Sequence, residues 1–265
     1  MSTGPGPVAL VGSGEFLEVM APVDAALLRG RPQRAVIVPT AAAREGDARV
    51  AYWIELGRAH YEAMGVEPVP LDVRRRSDAQ DPGVAARVAG AGLVYLSGGD
   101  PHHLADTLRG TALLAAIGAA WRDGAALAGC SAGAMALTAG APPDLRPAGR
   151  TGPSPEGPTP EASGPTPEVR TAGEAGDGLG LVAGLAVIPH FDQVERWRPG
   201  AVAHFAAWAP GGTTLLGIEE GTALVGSRRG WEVQGAGSVW VLGPDDRARY
   251  ESGATLPLHS PHPVG

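Results

Sequence analysis

Short apolar runs alternate with longer helical patterns along the first half of the chain. The apolar runs are nearly continuous, as is typical of strands covered on both faces, and each ends in turn residues. They lie at 7–14, 34–41, 66–73, 91–99 and 125–131, the third being interrupted by Pro68 and Pro70. Helical patterns cover 47–65, 84–92, 104–110 and 112–124. This alternation predicts a parallel sheet with right-handed helical crossovers.

The pattern changes towards the end of the chain. Residues 213–227 and 230–242 read as strands joined by tight turns, with a hairpin signal at 235–238. We therefore expect an antiparallel extension of the sheet. The predicted fold class is α/β: a mostly parallel sheet flanked by helices, forming one domain over residues 1–245.

Two segments do not fit this pattern. Residues 141–177 are rich in proline, glycine and glutamate and contain the near repeats GPSPE, GPTPE and GPTPE. Their apolar content is too low to offset the entropy of ordering, which predicts a disordered insertion, with a lid or partner-binding segment as the alternative. Residues 246–265 are predicted to be a loose C-terminal tail.

Composition narrows the function classes. The 265 residues suit one large α/β domain, and the net charge of -7 without a basic run argues against a nucleic-acid partner. A single cysteine excludes an intramolecular disulfide and a multi-cysteine zinc site. No secretory signal or membrane-spanning run is evident, so a cytoplasmic protein without a membrane partner is expected.

The stretch AGCSAGA at 128–134 contains two adjacent nucleophile types, Cys130 and Ser131. Gly129 and Gly133 place Ser131 at the centre of a G-x-S-x-G pattern that follows a predicted strand and precedes a short helix, as in a nucleophile elbow. With Cys130 at the centre, alanines would take the two flanking positions, where the backbone is crowded. The pattern therefore favours Ser131 as the nucleophile.

A serine nucleophile needs a base, and the base needs an orienting acid. His190 follows an apolar run in VIPHFD, a position typical of functional loops. Asp192, Glu219 and Glu220 are the candidate acids, the last two in GIEEGTALV. The residues alone leave this choice open.

An oxyanion hole needs backbone N–H donors. Elbow geometry assigns one to Ala132, the residue after the nucleophile. The turn SGGDP at 97–101 ends the preceding strand and is a candidate source of a second, because its glycines permit close approach of the backbone.

These motifs together resemble the serine-peptidase family of aspartyl dipeptidase (dipeptidase E) and cyanophycinase, whose fold is like that of class I glutamine amidotransferases. The matching stretches are LSGGD, GCSAGAM, a GLGLV…IPHFD stretch and GIEEGTALV, in family order. The resemblance implies Ser131 as nucleophile, His190 as base, Glu220 as acid with Glu219 as the fallback, and Gly99 and Ala132 as oxyanion donors.

The resemblance also implies substrates with an aspartyl group, cleaved at an α-linked peptide bond or at a β-aspartyl link to arginine. Asp100, Arg196 and Arg198 are the candidate substrate-binding residues, the arginines because a carboxylate needs a cation. Pro101 stands where cyanophycinase-like sequences carry glutamine, and proline cannot donate a hydrogen bond.

The sequence thus predicts a serine hydrolase that cleaves a short peptide or isopeptide bond through an acyl-enzyme, with no cofactor and no metal. The alternatives are a cysteine-dependent, glutamine amidotransferase-like enzyme and a non-catalytic binding module on the same fold. Nucleotide binding through VGSGEF is disfavoured, because Leu17 stands where the dinucleotide fingerprint needs glycine. The sequence does not fix the oligomeric state, and a homodimer is a candidate because homodimers are common among soluble enzymes.

Overall fold

The structure is a computed structural model and describes residues 4–143, 177–243 and 246–258. Its strands are β1 (Val8–Val11), β2 (Arg34–Val38), β3 (Glu67–Pro70), β4 (Leu93–Leu96), β5 (Ala126–Cys130), β6 (Leu185–Ile188), β7 (Thr214–Ile218), β8 (Thr222–Ser227), β9 (Gly230–Gly235), β10 (Ser238–Leu242), β11 (Arg247–Glu251) and β12 (Thr255–Leu256). Its α-helices are α1 (Ala21–Leu28), α2 (Asp47–Ala63), α3 (Arg76–Gln80), α4 (Pro82–Ala86), α5 (Pro101–Leu108), α6 (Ala112–Arg122), α7 (Ala132–Leu137), α8 (Phe191–Trp197) and α9 (Ala201–Trp208).

The larger sheet has the strand order β12-β9-β8-β1-β5-β4-β2-β3. The pairs among β1, β5, β4, β2 and β3 are parallel, whereas β8, β9 and β12 continue the sheet with antiparallel pairs. This confirms the five strands predicted in the first half of the chain and the antiparallel extension. β5 lies in the middle, between β1 and β4, so its carboxyl end is flanked by those of two parallel neighbours.

A second sheet, in the order β11-β10-β7-β6, was not expected. The hairpin predicted at 235–238 is wrong, because β9 pairs with β8 in the larger sheet while β10 pairs with β7 and β11 in the second. The turn therefore passes the chain between sheets. The hairpin that does form in this region joins β8 to β9, with Ser227 opposite Gly230.

Both faces of the larger sheet are buried, which explains its near-continuous apolar strands. In β1, Val8 and Leu10 face the core shared with the second sheet, whereas Ala9 and Val11 face the core covered by α1 and α2. The second sheet therefore packs against the larger one through apolar side chains. This packing holds the ends of β6 and β7 near the end of β5.

The helical predictions are confirmed for α2, α5 and α6, with shifts at their ends. α2 begins at Asp47 itself, with Gly46 as its N-cap residue, and α4 is shorter and earlier than the predicted 84–92. α8 was not predicted. It has seven residues and buries none of them fully, so its apolar residues Phe191, Val194 and Trp197 are too few to mark a helix in the sequence pattern.

The predicted tail at 246–265 is wrong for residues 247–256. β11 pairs with β10, and β12 pairs with β9, placing Leu256 in the core. Backbone pairing along existing strand edges holds this segment, although its charged sequence has little apolar content. Residues 259–265 and most of the predicted insertion lie outside the described residues.

Candidate active site

Ser131 lies between β5 and α7 and has an unusual backbone conformation, with φ 49° and ψ −108°. A positive φ is uncommon for a residue other than glycine, and the strain is typical of functional turns. The Ser131 N–H donates to the Val11 carbonyl at 2.9 Å, which ties the turn to β1. The serine hydroxyl therefore projects from the carboxyl edge of the sheet.

Close packing requires glycine at both positions that flank this turn. A Cβ at Gly133 would lie 2.2 Å from the Leu96 carbonyl oxygen, and one at Gly129 would lie 2.5 Å from the Gly133 carbonyl carbon. Neither contact is compatible with a side chain. The backbone crowding that favoured a serine-centred elbow is therefore present in the structure.

His190 lies just after β6 and is the N-cap residue of α8, in the left-handed conformation. Its Nε2 lies 3.1 Å from Ser131 Oγ, and its Nδ1 lies 2.8 Å from Glu220 Oε1. The side chains of His190 and Glu220 are 20% and 32% exposed, so solvent and small substrates can reach the group. Serine, imidazole and carboxylate form one continuous hydrogen-bonded chain.

Packing around Phe191 fixes the segment that carries His190. The Phe191 ring covers Gly217 of β7 so closely that a Cβ on this glycine would lie 2.3 Å from the ring. The ring also packs against Trp240, with centroids 5.7 Å apart. Since β7 leads directly to Glu220, this contact fixes the histidine segment relative to the strand that positions the acid.

The structure separates the three acids that the sequence left open. Asp192 Oδ1 accepts the Glu220 backbone N–H at 2.9 Å, so Asp192 holds the backbone of Glu220. Glu219 points elsewhere, accepting from the Ser238 N–H and the Trp240 indole N–H at 2.8 Å each. Of the three, Glu220 is the one bonded to the His190 ring.

The turn after β4 lies beside the nucleophile. A Cβ on Gly98 would lie 3.6 Å from Ser131 Cβ, and the Gly98 N–H itself is bonded to Glu15 Oε1 at 2.8 Å. Gly99 is exposed, and its N–H has no hydrogen bond among the described residues. The Ala132 N–H opens α7 and therefore has no acceptor within that helix. Among the described residues, neither of these two N–H groups has a hydrogen-bond acceptor.

Gly99 must be glycine for two reasons. Its φ is +138°, and a Cβ would lie 2.4 Å from the carbonyl carbon and oxygen of Ala41. The neighbouring Asp100 N–H donates to that same carbonyl at 2.8 Å. The turn therefore packs closely against the backbone of Ala41.

We expect Gly99→Ala to lower the free energy of unfolding by about 1–3 kcal/mol, from backbone strain. It should also lower kcat about a hundredfold, because the turn must move away from Ala41 and carries the N–H with it. Urea denaturation would measure the first effect and steady-state kinetics the second. Gly90→Ala is the control: Gly90 has φ +73° and open space around it, so strain should appear without a loss of kcat. A Gly99→Ala variant with normal kcat would exclude this N–H as an oxyanion donor.

Cys130 is the last residue of β5 and is completely buried. Its thiol donates to Glu15 Oε2 at 2.7 Å. The His190 ring is bonded to Ser131 and Glu220 instead. Cys130 is therefore placed as an interior residue beneath the elbow.

Both carboxylate oxygens of Asp100 have partners within the protein. Its Oδ1 accepts from the His102 and His103 backbone N–H groups at the start of α5, and its Oδ2 lies 3.2 Å from Arg44 Nη1. Asp100 is buried, whereas the Arg44 side chain is 43% exposed. The sequence prediction missed Arg44, a cation beside the turn that carries Gly99, because no local pattern connects residues 44 and 100.

The other candidate residues lie around this edge. Arg196 and Arg198 are exposed at the end of α8, the helix that begins after His190. Trp197 between them is 41% exposed and packs against the His190 ring, with centroids 5.3 Å apart. Nothing in the sequence pattern had indicated this tryptophan.

His60, His102 and His103 bond to groups away from Ser131. His60 is buried and pairs with Asp24 at 2.8 Å, and burial raises the pKa of Asp24 above its usual range. Burial lowers the pKa of His103, whose Nε2 lies 2.9 Å from the Arg74 carbonyl oxygen. His102 Nε2 lies 3.0 Å from the Pro142 carbonyl oxygen. Within the described ranges, no group of three or more His, Cys, Asp or Glu side chains is arranged to hold a metal ion.

Within the same ranges, no helix is long and apolar enough to cross a bilayer.

The protein has an α/β architecture in which a serine elbow, at the carboxyl end of a central parallel strand, faces a histidine and a glutamate. The model for peptidase family S51 matches residues 8–143, which include the elbow. The chain belongs to peptidase family S51.

Individual relatives agree with this assignment. Cyanophycinases of Trichormus variabilis and of a Nostoc species are each 33% identical over 189 residues, or 70% of this chain. The match spans only 57% of the length of these curated relatives. A crystal structure of a peptidase from an acI-B1 actinobacterium is 33% identical, with a TM-score of 0.79 and coverage of 96% of this chain and 97% of that one.

A peptidase E-like protein from Listeria monocytogenes shares the fold at 15% identity. Its TM-score is 0.51, and the match covers 93% of this chain and 98% of that one. This match shows that the two proteins share a fold.

Proposed function

We propose that this protein is a serine peptidase in which Ser131, His190 and Glu220 form the catalytic triad. The observation that carries the proposal is the hydrogen-bonded chain from Ser131 Oγ to His190 Nε2 at 3.1 Å and from His190 Nδ1 to Glu220 Oε1 at 2.8 Å. Both distances lie within the range expected for a nucleophile, its base and the orienting acid. No cofactor or metal ion takes part in this chemistry.

In the first half of the reaction, His190 Nε2 takes the proton of Ser131 Oγ as the oxygen attacks the substrate carbonyl carbon. The carbonyl oxygen becomes an oxyanion, which accepts hydrogen bonds from the Gly99 and Ala132 N–H groups. His190 then gives its proton to the leaving nitrogen as the C–N bond breaks. The products are a free amine and an acyl-enzyme ester on Ser131.

In the second half, water attacks the ester. His190 accepts a proton from the water, the same N–H groups bind the second oxyanion, and the proton returns to Ser131 Oγ as the ester bond breaks. Glu220 accepts from the Nδ1–H throughout. It holds the tautomer that leaves Nε2 unprotonated in the resting enzyme and stabilises the imidazolium.

The burial of Cys130 argues against the cysteine-dependent alternative. An attacking thiolate must reach both the substrate and a base, but the Cys130 sulfur is inaccessible and donates to Glu15. A non-catalytic module would have no need for a strained serine at φ 49° opposite an oriented imidazole. Both observations favour catalysis by serine.

We propose a short substrate with an aspartyl group, joined through an α-peptide or a β-isopeptide bond. The relatives named cyanophycinase and the guanidinium groups around the site support this substrate class. Arg196 and Arg198 remain the candidate partners of the substrate carboxylate, and Arg44 is a third. Asp100 contributes by holding Arg44 beside the turn that carries Gly99.

A substrate panel tests this proposal. We expect hydrolysis of at least one of three probes, α-Asp-Xaa dipeptides, β-Asp-Arg and cyanophycin, and much slower hydrolysis of the matched asparaginyl dipeptides, which lack the negative charge. A fluorophosphonate probe separates the remaining outcomes. Labelling of Ser131 without cleavage of the panel would refute only the aspartyl specificity, whereas the absence of both labelling and cleavage would refute the proposed peptidase activity.

A cytoplasmic location and a homodimer remain predictions.

A further inference from the structure

Glu15 is a buried carboxylate that the proposed reaction does not use. It follows β1, and only 2% of its surface is exposed. A carboxylate in such a place is costly unless hydrogen bonds replace its lost hydration. Its partners therefore indicate what the fold gains by placing it there.

The two oxygens of Glu15 bond to two different elements of the site. Oε1 accepts the Gly98 backbone N–H at 2.8 Å, in the turn after β4. Oε2 accepts the Cys130 thiol at 2.7 Å, at the end of β5 and next to Ser131 in the chain. One side chain thus joins the turn that carries Gly99 to the elbow that carries Ser131.

We propose that Glu15 is a positioning residue that sets the distance between the nucleophile and the oxyanion hole. This inference rests on the proposed function, because it assumes that Gly99 and Ala132 bind the oxyanion. The Gly98 N–H donates to Glu15, whereas Gly99, the next residue of the turn, is exposed and can present its N–H to a substrate. Cys130 supplies the second anchor through its thiol proton, a role that differs from nucleophilic catalysis.

The chemistry of the two contacts requires a carboxylate. An ionised carboxylate has two acceptor oxygens and no donor, whereas a carboxamide has one acceptor and one donor group. Glutamine could keep the bond to the Gly98 N–H, but its NH2 group would then face the thiol, which is a weak acceptor. The Cys130 anchor would weaken while the shape of the side chain is kept.

This reasoning predicts a graded loss of kcat with little change in KM. Removal of an oxyanion donor costs about 100- to 1,000-fold in kcat, and a displaced donor should cost less. We expect Glu15→Gln to lower kcat about tenfold and Glu15→Ala about a hundredfold. KM should change by less than about threefold, because the substrate contacts away from the carbonyl remain.

A double variant distinguishes positioning from a general loss of structure. A serine hydroxyl both donates and accepts well, so Cys130→Ser alone should preserve the bond to Glu15 and most of the activity. In the combined variant Glu15→Gln, Cys130→Ser, the carboxamide NH2 can donate to the hydroxyl. We therefore expect kcat to recover to within about threefold of that of Cys130→Ser alone.

The experiment measures kcat, KM, the rate of fluorophosphonate labelling and the thermal midpoint for the wild type and these four variants. Glu232→Gln, at an exposed glutamate on β9, is the matched control and should behave as the wild type. Wild-type kcat in both Glu15 variants would overturn the inference, as would a loss explained entirely by the unfolded fraction or one that the double variant does not recover. If the wild type neither cleaves peptides nor reacts with the probe, the proposed function fails instead.

Discussion

Ser131→Ala should lower kcat by about 10⁴- to 10⁶-fold, because the residues of the proposed triad act as a unit and the proposed acyl-enzyme cannot form without its nucleophile. The fold should be preserved, since Ser131 donates its backbone N–H to Val11 and an alanine keeps that bond. The measurement is kcat on the best substrate of the panel, together with the thermal midpoint. Fluorophosphonate labelling should disappear.

Cys130→Ala is the matched control for this prediction, one residue away and of similar size. It removes the thiol proton from Glu15 but leaves Ser131 Oγ bonded to His190 Nε2. We expect kcat to fall by no more than about tenfold, since only the position of an oxyanion donor changes. If instead Cys130→Ala abolished hydrolysis and Ser131→Ala did not, the cysteine-dependent mechanism would be correct.

Glu220→Gln should have the next largest effect, a loss of about 10⁴-fold in kcat, as when the acid of a Ser-His-Asp triad becomes an amide. The amide NH2 would donate to His190 Nδ1, which places the imidazole proton on Nε2. That nitrogen could then no longer take the proton of Ser131 Oγ, although every heavy atom keeps its place. Pre-steady-state labelling by a fluorophosphonate would report the same loss without depending on the choice of peptide.

The adjacent Glu219→Gln is a control for charge and position. Glu219 accepts from the Ser238 N–H and the Trp240 indole N–H, and a carboxamide can satisfy only one of these donors. We expect a loss of about 1–3 kcal/mol in the free energy of unfolding and a kcat within a few-fold of that of the wild type. If Glu219→Gln lowered kcat more than Glu220→Gln does, the acid that orients His190 would be Glu219 and not Glu220.

The second sheet gives the site its structural basis. His190 follows β6, Glu220 follows β7, and these two strands are parallel neighbours, so their carboxyl ends lie side by side. The sheet packs against the larger one through the common core, which brings both residues to the end of β5. The hydrogen-bonded arrangement of Ser131, His190 and Glu220 therefore depends on how the two sheets are docked as much as on either sheet alone.

Much of this molecule follows from short stretches of its sequence. The five parallel strands were predictable because strands buried on both faces are apolar throughout, and that signal is local. The preference for Ser131 over Cys130 was predictable for a similar reason. Glycines at positions 129 and 133 indicate that the backbone is crowded within one turn, and the structure shows close backbone contacts at both positions.

Other features were decided by the tertiary structure, because they depend on residues far apart in the chain. Whether Asp192, Glu219 or Glu220 faces His190 depends on how the turn after β7 meets the loop after β6, 30 positions away. The strands at 247–256 form because partner edges exist in β9 and β10, and their own sequence carries little apolar signal. The hydrogen bonds of Glu15 join it to residues 83 and 115 positions away in the chain. The sequence by itself determined the local backbone geometry at Ser131, whereas only the docking of the two sheets decided which side chains surround it, because hydrogen bonds act between neighbours in space.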